Sequence, residues 1–156
     1  QKEMTNHPLD LYAYAERRNI DVDWIPMRRA TSLSVPLGDR YAIALDPWKL
    51  GSLAQETVCL AHELGHCKTG SFYNRHAALD IRQKHENRAD KWAIRHLVPE
   101  DALDQAVADG YTDLPSLAEH FCVTVPLCAR PSAGIPTVIW PWRCMLERPR
   151  WPCVNL

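Results

Sequence analysis

No apolar run in this 156-residue chain approaches the roughly 20 residues that a membrane-spanning helix requires. No charged, then apolar, then small-residue segment opens it as an export signal would, so a cytoplasmic protein is the expectation. Charge of one sign is also lacking. Eighteen basic residues against 19 acidic ones leave a net charge of −1, which gives no electrostatic case for direct nucleic-acid binding. Six cysteines are present, but paired spacing is not. Cys59 and Cys67 fall inside a helical pattern, and Cys122, Cys128, Cys144 and Cys153 show no paired metal spacing, so free thiols are expected. The length suits one domain whose core needs no disulfide staple.

What the chain does carry is Ala61-His62-Glu63-Leu64-Gly65-His66. Two histidines four apart share one helix face and can reach one metal. The glutamate between them points toward the open coordination position, where it can take a proton from a water. The run Thr57-Val58-Cys59-Leu60-Ala61 before the motif is apolar enough for a buried helix. Two imidazoles and a carboxylate inside such a helix are costly without a partner. Zn2+ is the expected cofactor and hydrolysis the expected reaction, with Glu63 as catalytic base.

A catalytic zinc needs a third protein ligand and keeps one position for water. Glu86, twenty positions after His66, leaves room for a loop and a returning helix; its neighbour His85 is the rival. Asp90 is four residues beyond Glu86, on the same helix face, where it can accept the free ring N–H of His62 or His66 and fix the ligand tautomer. Tyr73 and His76, between the two helices, are candidates for stabilising a tetrahedral oxyanion. Cys67, directly after a ligand, is a candidate for modulating the metal on oxidation.

The pattern predicts a helix over 8–18 with Leu9, Tyr12, Ala13 and Ile20 inward. Strands are predicted over 22–27, 31–35 and 41–45, with a turn at Pro36-Leu37-Gly38-Asp39, making a hairpin or three-stranded sheet. An edge strand there, probed at Ala42 or Ala44, is a candidate for holding substrate by strand addition. The motif helix is expected over 52–68, stopped by Gly70, and the next over 77–97, stopped by Pro99. Ile81, Ala89, Trp92 or Ala93, and Leu97 are its expected inward set.

Helices over 99–108 and 113–121 follow, and Leu117-Ala118-Glu119-His120-Phe121-Cys122-Val123-Thr124 looks like the first half of a helix-turn-helix. This supports an alternative function, a DNA- or protein-binding regulator with a structural zinc, although no basic recognition helix follows. The chain then changes character. Residues 126–156 hold six of the 12 prolines, three of the six tryptophans, and four arginines against one acid. The domain is therefore drawn over 1–124, with its helix-turn-helix-like part from about 99, and 125–156 is an atypical tail, either disordered or translated out of frame.

The order of a small N-terminal helix, short sheet, H-E-L-G-H helix and a later helix reading Glu86-Asn87-Arg88-Ala89-Asp90-Lys91-Trp92-Ala93 resembles the ImmA/IrrE metallo-endopeptidases, closest to their small phage-type and mobile-element members. The similarity runs from about Leu9 to Thr124. It implies an α+β fold, a mostly helical zincin-like domain with a small N-terminal sheet. It also implies zinc on His62, His66 and Glu86, with Glu63 as the base. Members of the family cleave repressors of mobile elements or stress regulons, which implies a repressor-like protein substrate.

Overall fold

A computed structural model describes residues 8–74 and 76–128. The chain enters through α1 (Pro8–Arg17), with Pro8 in the first turn, where its missing N–H costs nothing. Pro8, Leu11 and Ala15 are the residues α1 buries, each about one turn from the next. Leu9, expected inward, is 67% exposed, because the buried stripe runs through Pro8, Leu11 and Ala15 and leaves position 9 on the opposite side. Asn19 adopts φ 56°, ending the helix and turning the chain directly into a strand.

Three strands follow, β1 (Ile20–Trp24), β2 (Ser32–Leu37) and β3 (Arg40–Leu45), in the order β1-β3-β2. β1 runs parallel to β3, and β2 antiparallel to it. β1 stops earlier than the residue pattern suggests because the buried Asp46 carboxylate accepts the Met27 N–H at 2.8 Å, drawing the chain out of the ladder. Pro36 and Leu37 belong to β2 rather than to the turn, since proline is tolerated on an edge strand. Gly38, at φ 66°, and Asp39 alone close the hairpin. β3 is the central strand: Ala42 is paired with both Asp21 and Val35, and Ala44 with both Asp23 and Leu33. The expectation of a free edge at Ala42 or Ala44 is therefore corrected, since both sides of that strand are already hydrogen-bonded.

Helix α2 (Leu53–Thr69) is the centre of the molecule, buried without interruption from Thr57 to Cys67. Ser52 caps its start by accepting the Gln55 N–H, and Gly70, at φ 63°, ends it. α3 (Leu79–Leu97) packs across α2 and buries Ala89, Asp90, Ala93, Ile94 and Leu97. Ile81 is 44% exposed, correcting its inward assignment; it lies in the first turn, ahead of the stretch that crosses α2. Trp92 is half-buried at the margin of the core, stacked on His96 with ring centroids 4.8 Å apart.

Two more helices, α4 (Glu100–Ala108) and α5 (Leu114–His120), close the bottom of the core. A short α6 (Val125–Cys128) follows, with Pro126 in its first turn and Leu127 and Cys128 fully buried. The core thus continues four residues past Thr124. The rest of the proline-rich tail, and the reading of it as disordered or out of frame, lies outside the described residues. Among the described residues no helix is long and apolar enough to cross a membrane, and Cys59, Cys67, Cys122 and Cys128 are free. The mixed α+β architecture is the one the sequence leads one to expect.

Candidate metal centre

Helix α2 carries His62, Glu63 and His66 in its buried stretch, where each needs a polar partner. His62 Nδ1 lies 2.8 Å from Asp90 Oδ1 on α3. His66 Nδ1 lies 2.7 Å from the backbone carbonyl of Ser71, and a carbonyl can only accept, so that nitrogen carries the proton. The loop after α2 makes this possible: with Gly70 left-handed, the Ser71 N–H returns to the His66 carbonyl, and the Ser71 carbonyl comes to rest beside the ring. With both Nδ1 atoms committed as donors, both Nε2 atoms turn their lone pairs inward, only 3.1 Å apart. Two facing lone pairs repel, and either a proton on one of them or a metal ion held by both relieves the repulsion.

The third donor comes from α3. Glu86 Oε2 is 3.2 Å from His62 Nε2, and Glu86 Oε1 is 3.4 Å from His66 Nε2. One ligand atom from each of the three side chains lies within 4.8 Å of the others, close enough for the group to hold a single ion with ligands at about 2.0–2.1 Å after small side-chain adjustments. The His62–His66–Glu86 group is also the only set of three such side chains found within ligand reach of one another among the described residues. In the bare protein the electrostatics tell the same story. Burial disfavours protonated His62, but hydrogen bonds to Asp90 and Glu86 and the nearby Glu63 carboxylate outweigh it and hold the imidazole well above its ordinary value. Burial likewise acts to raise Glu86, and the two histidines overcome it, holding the carboxyl well below the usual range.

Tyr73 reaches the same place: its hydroxyl donates to Glu86 Oε1 at 2.8 Å. His85 does not join the group. Its ring stands beside Tyr73 at 5.9 Å between centroids, and its buried Nδ1 has no hydrogen-bond partner. His76 is exposed in the loop and is not part of the His62–His66–Glu86 group. Cys67 is buried, and burial together with the Glu63 charge pushes its thiol up to about 12, which removes the thiolate that oxidation would need.

Glu63, 1% exposed, has both carboxylate oxygens engaged from β2. Ser32 Oγ donates to Oε1 at 2.7 Å and Ser34 Oγ to Oε2 at 2.6 Å. The residue pattern contains a hint of this in two serines, two apart, in a stretch predicted as a strand, which puts both on one face. Only the packing of β2 on α2 shows what they face.

Three side chains that could hold a metal ion, a buried carboxylate next to them and a tyrosine bonded to one of them are the groups from which a hydrolytic site can be built. No curated protein and no solved structure matches the chain. The model of the IrrE N-terminal-like domain, the M78 peptidases, matches residues 15–129, well over half of the chain. A metal and a peptidase type of chemistry go with that family, and the chain belongs to it.

Proposed function

We propose that this protein is a zinc-dependent endopeptidase that cleaves a repressor-like protein. The observation that carries the reading is the convergence of the His62 and His66 Nε2 atoms with the Glu86 carboxylate, beside Glu63 of the same helix as the histidines. Two imidazoles and one carboxylate, with a fourth position open, are the donor set of catalytic zinc. When bound, zinc would lower the pKa of a water toward about 7 and polarise the peptide carbonyl.

The chain's own residues supply the rest. Glu63 takes the proton of the attacking water and returns it to the departing amine. Asp90 holds His62 in the tautomer that leaves Nε2 free, and the Ser71 carbonyl does the same for His66. The Tyr73 hydroxyl, already bonded to Glu86, is our candidate for donating to the oxyanion as charge develops. The outer side of β2, an edge strand among the described residues, is the place for an extended substrate segment to add as a further strand. Four free cysteines suit the reducing cytoplasm. The regulator alternative finds little support in α6: its four residues, Val-Pro-Leu-Cys, carry no charge, and two of them are buried in the core.

Zinc content and cleavage, measured together, test the ligand set. Glu86→Ala and His62→Ala should each lose both, while His85→Ala keeps both. A Glu86→Ala protein that binds zinc normally and cleaves would overturn the assignment.

A further inference from the structure

We propose that Ser32 and Ser34 are positioning residues for the base, holding the Glu63 carboxylate in a single orientation through one hydroxyl on each oxygen. The proposal deepens the peptidase reading and rests on it. Residues two apart on a strand face the same side, and the cross-strand partners of these serines, Leu45 and Ile43, are both core residues. Serine is an unexpected choice for such a face, because a buried hydroxyl is costly without a partner. The partner in each case is Glu63.

The stoichiometry is what makes this more than satisfaction of a buried charge. Rotation about the last bond of a glutamate side chain is soft. One donor would leave the carboxylate free to swing about that contact. Two donors on different oxygens, both short and charge-assisted, stop the swing. During turnover neither serine gains or loses a proton. The water's proton goes to Glu63 and then to the leaving amine, and each serine keeps its own hydroxyl hydrogen. Both donors lie on β2, an edge strand of the sheet among the described residues, so a peptide seated along β2 would touch the same strand that sets the base.

Ser34→Thr and Ser34→Val test this, since the two side chains have nearly one shape and differ in a hydroxyl. With zinc loaded and a substrate that the wild type cleaves, Ser34→Val should lose about 10- to 100-fold in kcat, the scale for a misplaced catalytic group. KM, zinc content and melting temperature should stay close to those of Ser34→Thr, which recovers most of the turnover. Equal kcat for the two variants would overturn the proposal, as would a Val loss matched by loss of zinc or of folded protein. If the Ser34 pair does not fold, Ser32→Thr and Ser32→Val read the other oxygen; a Val variant that fails to fold where Thr folds would assign the hydroxyls to folding alone and also overturn it. Inactivity of zinc-loaded wild type would sink the peptidase reading instead. A double-mutant cycle of Ser34→Val with Glu63→Gln on the melting temperature of metal-free protein then decides: non-additive effects support the clamp, and additive ones refute it.

Discussion

The carbonyl oxygen of Ala89 lies 2.5 Å from where a Cβ on Gly65 would stand. At this contact the two helix backbones approach closely, and it falls between His62 and His66 on α2 and between Glu86 and Asp90 on α3. This close approach is permitted by the one missing side chain and brings α3 up against the histidine face of α2.

Gly65→Ala should therefore push α3 outward and draw Glu86 and Asp90 away from the histidines. Overpacking of this kind costs about 1–3 kcal/mol. Zinc affinity should fall as well as melting temperature, since backbone rather than a flexible side chain must give way. Unchanged zinc affinity in a folded Gly65→Ala protein would show that the crossing does not set the site.

Asp90→Ala removes the acceptor on His62 Nδ1 without touching any of the three inward-facing donor atoms. Loss of such a partner lowers metal affinity by about 10- to 100-fold. A competition titration with a chelator reads this directly, and an effect smaller than about threefold would deny Asp90 an orienting role.

The metal-free protein should have a characteristic pH profile. His62 is held above its ordinary 6.5, so its contribution to stability is complete below that value and fades as pH rises through the raised one. Glu86 is held below its ordinary 4.5, so its contribution is complete above that value and fades as pH falls through the depressed one. Melting temperature without metal should peak between about pH 4.5 and about pH 6.5, and zinc should stabilise increasingly above that window as it replaces the proton on His62. A metal-free profile that keeps rising from pH 6 to pH 8 would contradict the proton's place in the cluster.

Tyr73→Phe keeps the ring and removes the donor. If the hydroxyl stabilises the oxyanion, kcat should fall by about 100-fold, with zinc affinity little changed. A fall in zinc affinity with kcat preserved would assign Tyr73 to holding Glu86 instead.

The parts of this site that were legible in the sequence are those set by helix periodicity. His62 and His66 share a face because they are four apart on one helix, and Glu86 and Asp90 do so on the next; local spacing carries the information. The order of the sheet was not legible, because it depends on the link after β1 carrying β2 to the far edge, a long-range pairing that no local pattern encodes. The serines on Glu63 were hidden for the same reason, lying 31 and 29 residues away in sequence. The Ser71 carbonyl was hidden differently: a backbone acceptor leaves no trace in residue type. At the far end, Pro126 reads as a helix breaker, yet it occupies the first turn of α6, where a proline fits.

The most direct test of the central claim is co-expression of this chain with repressor-type proteins encoded in the same genome, wild type against Glu63→Gln, with zinc content measured on both proteins. The account predicts zinc in both and site-specific loss of a repressor with the wild type alone. Equal cleavage by Glu63→Gln, or intact repressors throughout in the presence of folded, zinc-loaded wild type, would contradict it.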